Sequence, residues 1–472
     1  MRTSLKLLTL TLVTAGAFTA HRPASAQTAY SIDINTSLSR VGDGSTKLSS
    51  GASQVFIDNY LLTLSYTTSG SGEVGAAAVS IPTLSAKLNS SLASGMYASG
   101  TDGTQGVLTA NSSRSSLLLG GATSTGQSQL GSWSGRDAAN GILTPNQTPI
   151  GFNASAGALR GSASPGGSVA YTAVTGSSNQ AGGIMAGQFN GSSSPLLLNG
   201  AGMNTDVRRV GIGVTYGSNP NGLATDSLSV PTNLYYSAGN LTGGTAGIYQ
   251  LGNGLPITGN QSSSLIVATH NGATPNSFFF ADLSIDVAGT DTLYVTTQED
   301  GIQKYAKAAD GNWIYLNSIG TSITANPVTG VTTKKVTSFQ SMDGLAVPSL
   351  SIPDGTGGTV QTQAGTLLLL TGTTETLKTK NGKTQSDTYS VEFDAFLDVT
   401  GYNTPMLNAA ASLFPLLSTG DIDPTTESLR GVAFNQPITF SLPVDEPQTV
   451  SMLLASLGLM SLTVMRRQRI AA

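Results

Sequence analysis

Hydrophobic positions along this chain fall in short runs rather than helical stripes. Runs of four to seven residues, apolar throughout or alternating with polar ones, recur at 55–61, 117–120, 169–173, 234–237, 293–296, 366–371 and 429–434. Most of them close on Gly, Ser, Asn or Asp. A period of two bounded by turn formers predicts β-strands, because successive strand side chains point to opposite faces. Outside the two ends, helical spacing is best at 407–417, which predicts a short helix or an apolar loop. Many short strands with turns between them imply an all-β domain, either a propeller or a sandwich.

Residues 277–316 decide between the two. Strands are predicted at 278–283 and 292–296; Asp300-Gly301 then turns into 302–305, and Asp310-Gly311 into 313–316. Four strands in about 40 residues is the size of one propeller blade. A looser copy precedes it at 207–214, 234–236 and 247–251. Both copies carry Leu-Tyr followed by Gly-Ile: Leu234-Tyr235 with Gly247-Ile248, and Leu293-Tyr294 with Gly301-Ile302. The expectation is a single β-propeller of six blades, with seven the alternative because 80–200 is so rich in Gly and Ser. Residues 30–83 would supply the outer strands of one blade and 429–434 its innermost strand. Joining the two ends in one sheet removes an open edge that would otherwise pair with other chains. The Thr- and Lys-rich stretch 371–388 reads as an extended hairpin or loop insertion.

Three of these places also carry a resemblance. Ser39-Arg40-Val41-Gly42-Asp43-Gly44 with Val55-Phe56-Ile57-Asp58, the blade at 278–316, and Leu429-Arg430-Gly431-Val432-Ala433-Phe434 are similar to secreted bacterial β-propeller proteins. The resemblance implies one propeller and brings no catalytic residue with it.

The two ends are written differently. Arg2 and Lys6, an apolar stretch at 7–20 and Ala24-Ser25-Ala26 form a signal-peptide pattern, with cleavage expected between Ala26 and Gln27. At the other end stand Val444, Asp445, Glu446 and Pro447, an apolar run at 450–465, then Arg466, Arg467 and Arg469. That run has 16 residues, short of the ~20 a full span prefers. The basic end is expected on the cytoplasmic side of a transient transmembrane helix. The layout resembles the PEP-CTERM sorting signal of Gram-negative bacteria: Pro-Glu-Pro, a hydrophobic helix and an Arg-rich end. Glu446 and Pro447 match its second and third positions, whereas Asp445 stands where the first Pro usually is. The resemblance implies processing by exosortase, a membrane transpeptidase-like protease. The expected organisation is therefore a signal peptide at 1–26, a propeller at 27–443 and a sorting tail at 444–472. The expected partners are the Sec translocase, an exosortase-type enzyme and, before processing, the membrane. The expected location is the cell envelope or the extracellular space.

Charge and composition narrow the function. There is no Cys among 472 residues, so neither disulfides nor thiolate metal sites are possible. Six of the 22 basic residues and two of the 26 acidic ones lie in the two end signals, leaving 16 against 24, a net charge of −8. Such a balance excludes a phosphate-binding surface and makes nucleic acid an unexpected partner. With 57 Gly and only 10% charged residues, the chain is unlike most globular enzymes.

Catalytic constellations are scarce. Beyond the leader the only histidine is His270, beside Asn271-Gly272 in an expected loop, where a lone His is ordinarily solvated. No Gly-x-Ser-x-Gly elbow precedes a suitable His. Carboxylates remain: Asp282 and Asp286, with Asp291, are the weak candidates for a Ca²⁺ site, since hard cations take such oxygens. Asp300, Asp310, Asp421 and Asp423 read as turn residues. Tyr294, Tyr305, Trp313 and Tyr315 sit at strand spacing and read as core, with a sugar-stacking platform the alternative. Arg208, Arg209 and Arg430 could meet an anionic glycan or form strand-end ion pairs. The expectation is an exported, non-catalytic binding or structural propeller associated with exopolysaccharide and needing no cofactor. The alternative is a secreted hydrolase or lyase using channel carboxylates, with Ca²⁺ as an aid. Two acids converging at the ring axis would favour the alternative.

Overall fold

The computed structural model describes residues 29–67, 78–79, 82–134, 147–152, 157–175, 182–191, 194–199, 206–215, 230–239, 244–284, 286–287, 289–326, 331–347, 351–353, 359–361, 365–380, 383–407, 413–417 and 422–436. The leader with Ala24, Ala26 and Gln27, the tail from Val444 onward, and Asp421 lie outside them. Among the described residues regular structure is almost entirely β, and no helix is long and apolar enough to cross a membrane.

The strands follow one another as antiparallel neighbours. The first sheet takes β1 (Ala29–Val41), β2 (Ala52–Thr67), β3 (Ala78–Val79), β4 (Thr83–Ser99), β5 (Leu108–Ala110), β6 (Ser116–Ala122), β7 (Ser128–Ser134) and β8 (Ile150–Gly151). A second sheet holds β9 (Leu159–Gly166), β10 (Val169–Val174), β11 (Gly183–Gln188) and β12 (Leu196–Leu197). The third holds β13 (Val207–Thr215), β14 (Val230–Ala238), β15 (Gly247–Leu251) and β16 (Ser263–Ala268). The fourth holds β17 (Pro275–Ala281), β18 (Thr292–Thr297), β19 (Ile302–Lys307) and β20 (Trp313–Ile319), the blade expected at 277–316. Next come β21 (Thr321–Asn326), β22 (Val331–Val347), the small pair β23 (Ser351–Pro353) and β24 (Thr359–Gln361), then β25 (Gly365–Lys380), β26 (Lys383–Asp398) and β27 (Leu413–Leu417). The last strand, β28 (Ser428–Phe434), returns to the first sheet and pairs with β1, Val432 opposite Leu38.

These sheets stand around a common axis in the manner of a β-propeller. β5 packs on β9, β9 on β13, β13 on β17, β17 on β22, β22 on β28 and β28 on β5. Each sheet buries both faces against its neighbours, so its inner strands are apolar or small throughout rather than cleanly alternating. All seven residues of β28 are buried, as are all six of β18. Between the fourth and fifth sheets, Tyr294, Phe339, Leu368 and Phe396 form one such layer. Between the third and fourth, Ile248, Phe278, Leu293 and Tyr305 form another.

Two expectations change. Counted as hydrogen-bonded sheets, the blade-sized units number four rather than six: three four-stranded sheets and the five-stranded order β21-β22-β25-β26-β27. Besides the small pair β23-β24, the remainder is a nine-stranded sheet, because Tyr97 of β4 pairs with Ala122 of β6 and fuses what short-range patterning separates. The helical spacing at 407–417 also misleads, since Leu413–Leu417 is β27, an edge strand paired with β26. Pro415, which has no N–H to donate, is tolerated at such an edge. The stretch at 371–388 falls in the hairpin of β25 and β26, which pair from Thr366↔Asp398 to Lys380↔Lys383.

Candidate functional site

The inner strands enclose a cavity of about 110 Å³ on the ring axis. Its walls come from β5 and the turn after it, β9, β13, β17 and β22. Apolar surface from Phe278, Phe280 and Met342 alternates with Asn111, Ser162 and Ser164. Three charged groups reach it: Arg114, Arg209 and Asp343.

Local geometry explains how each gets there. Arg114 sits in the turn between β5 and β6 at φ 56°, a left-handed conformation rare for a side-chain-bearing residue. Holding it costs about 1–3 kcal/mol, so the surroundings must over-determine the turn. They do: Arg114 N donates to Asn111 O, Ser116 N donates to Asn111 Oδ1, and Ser112 N donates to Ser164 O of β9. The turn sends the Arg114 guanidinium across the axis, where Nη1 lies 3.1 Å from Asp343 Oδ2 and Nη2 donates to Gly344 O. Its Cζ rests 4.8 Å from the centre of the Phe434 ring. Asp343 Oδ2 also accepts the backbone N–H of Phe434 at 2.9 Å. One carboxylate thus ties the turn after β5, β22 and β28 together.

Arg209 enters from β13 on different terms. Gly161 on β9 leaves it room, since a Cβ there would lie 2.5 Å from Arg209 Cδ. Its Nη2 makes a long contact of 3.5 Å to Met342 O, and buried Nη1 has no hydrogen-bond partner among the described residues. Burial depresses its pKa to about 10, partly offset by the charge of Asp343, so it stays cationic at neutral pH. The part of Arg209 that is accessible lines the cavity. Two guanidiniums and one carboxylate leave this enclosed space with a net positive charge. Among the described residues Asp343 is the one acid lining it, whereas hydrolysis of a glycosidic bond ordinarily takes two.

The other residues singled out in the sequence are spread around the ring. Arg208 donates to Asp206 and Asn276, and Arg430 Nη2 donates to Gly100 O, so both serve as structural ties. Asp291 is buried and spends its oxygens on the amides of Leu283 and Ser284 and on the Thr292 hydroxyl. Asp282 is pushed up to about 6 by burial and by the charge of Asp291, and Asp286 N donates to Ser284 Oγ. No group of three or more acidic or His side chains arranged to hold a metal occurs among the described residues. Asp310 accepts from Asn312 N, and Asp423 from Thr425 Oγ1 and Thr425 N, which lowers both pKa values.

His270 lies outside the strands with its side chain 38% exposed, as expected of a loop residue, but it has partners. Its ring stacks on Tyr315 at 4.0 Å and 3°, and Nδ1 is 3.3 Å from Asp300 Oδ2. Asp300 therefore does more than form a turn. The neighbouring hydroxyl of Tyr305 donates to Gln303 and is pushed far up by burial, so it is no base at neutral pH. Tyr294 and Tyr305 are core residues, while Trp313 and Tyr315 are only partly buried.

The class these features define is an all-β propeller with a polar, cationic axial cavity. Compared with known proteins, the chain matches no family model and no curated sequence.

Proposed function

We propose that the chain is an exported propeller, sorted by its C-terminal tail and acting without catalysis as a binding or structural component of an exopolysaccharide layer. The observation that carries the non-catalytic reading is the axial cavity, where the single carboxylate, Asp343, is already held by Arg114 and the Phe434 amide. Such a group is a poor general base, and no second acid stands opposite it among the lining residues. Export rests on the pattern from Arg2 to Ala26, and sorting on Glu446-Pro447 with Arg466, Arg467 and Arg469. The Sec translocase and an exosortase-type protease are the partners this route requires.

In this reading the ring has six blades, the nine-stranded sheet counting as two joined through Tyr97 and Ala122. Six apolar layers support that division, each packed between consecutive units. The test is to incubate the purified protein with an acidic exopolysaccharide and follow both retention and chain length. The expected result is retention with no shortening. Shortening that disappears in D343N would replace this reading with the hydrolase.

A further inference from the structure

Arg209 is hard to explain as a structural residue. A buried charge is normally paired and fully hydrogen-bonded, because removing it from water is costly. Arg114 meets that rule through Asp343 and Gly344. Arg209 does not: Asp343 acts on it only through space, Nη1 has no hydrogen-bond partner among the described residues, and the side chain, partly buried, lines the cavity. Its planar fork is suited to gripping two oxygens of one anion. Around it, Asn111, Ser162 and Ser164 supply polar wall, and the space of about 110 Å³ has room for a group the size of a carboxylate or sulfate.

We propose that the axial cavity is a binding site for one small oxyanion, a carboxylate or a sulfate, with Arg209 as its principal ligand. This deepens the binding role proposed above and rests on that reading only for the anion's source. The anion is either free in solution or the acidic substituent of a glycan, such as a uronate.

The experiment uses the full chain. Thermal unfolding is followed in sodium sulfate, in sodium glucuronate, and in sodium chloride and glucose as controls at matched ionic strength and osmolality. Sulfate and glucuronate are expected to raise Tm beyond both controls. R209M is expected to abolish that response, yet to unfold in chloride at the same temperature as the parent or higher, because it removes a charge whose hydrogen bonds are incomplete. R209K keeps the charge without the fork and is expected to weaken apparent affinity at least tenfold. It serves as the decisive variant if R209M does not fold. Equal Tm in both anions and both controls, or an unchanged response in R209M or R209K, overturns the site. A second arm measures co-sedimentation with calcium alginate gel, a polyuronate. Retention lost in the Arg209 variants assigns the anion to a glycan. A Tm response without retention supports the site for free anions and overturns the glycan-binding role.

Discussion

Lys304 shows how much this fold stakes on single side chains. It is fully buried, with Nζ 2.7 Å from Asp398 Oδ2 and further bonds to Thr400 Oγ1, Gly401 O and Thr404 O. Burial lowers its pKa, and the Asp398 charge opposes that shift. K304M should cost about 3–5 kcal/mol, since breaking a buried pair strands the remaining charge. The double variant K304M/D398L should recover part of that loss, and urea unfolding of both reads the difference. Asp282 gives a pH signature of the opposite kind. Its carboxyl is raised from 3.8 to about 6, so the folded chain keeps a proton that the unfolded chain releases. Its contribution favours folding below its ordinary pKa and is lost as pH rises through about 6. D282N should therefore be stable relative to the parent to a growing degree between pH 4 and 7, and parallel stability curves would count against the shift. At this scale the sequence is only partly legible. Arg209 follows Arg208 and Asp206 with nothing to set it apart, and Arg114 in a Ser-rich turn and Asp343 in the strand β22 give no sign of facing one another. Only 10% of residues are charged, and that scarcity was the available signal.

At the scale of elements, the closing contact between β28 and β1 organises the motifs most visible in the sequence. Arg40 on β1 bonds Asp58 of β2 at 2.7 Å and pairs with Glu427 just ahead of β28. Gly42, at φ 102°, passes so close to Thr426 that a Cβ would lie 2.1 Å from its carbonyl oxygen. On β28, a Cβ at Gly431 would lie 2.0 Å from Leu108 N of β5. Arg40, Gly42 and Gly431 therefore all take part in the closure. Behind them runs a buried amide ladder, with Ser37 Oγ donating to Asn59 Oδ1, Asn59 Nδ2 to Asn89 Oδ1 and Asn435 Nδ2 to Ser37 Oγ at 2.8 Å. G431A should destabilise by about 3 kcal/mol, the upper end for overpacking a filled interior. Cutting the chain after Gly420 should do more, exposing the β1 edge and lowering solubility. Unchanged thermal unfolding of the truncated chain would refute the closure model. Strand identity was readable here because alternation and turn residues are local. Sheet fusion through Tyr97 and the strand at Leu413–Leu417 were not, because both depend on neighbours distant in sequence.

For the whole molecule, closure and the proposed sorting are expected to be separable. β28, the strand that closes the ring against β1, ends at Phe434, and Asn435 still joins the amide ladder, ahead of the expected tail at Val444. Gln436 Oε1 then accepts from Asn35 Nδ2 at 3.2 Å. The proposed sorting calls on different physics: a short apolar segment followed by Arg466, Arg467 and Arg469 would resist full translocation and be held at the inner face of a membrane. Removing 444–472 should thus leave the unfolding temperature of the propeller unchanged while altering where it accumulates. Cell fractionation separates these effects: the intact chain is expected first in the membrane and then as a shortened surface form, and the truncated chain as a soluble exported form. Restoring Pro in place of Asp445 should speed the shortening, because it completes the Pro-Glu-Pro element that the processing protease would read. Finding the truncated and intact chains at the same surface location would remove the sorting role and leave the folded ring, with its cationic axis, as the one feature from which function must be argued.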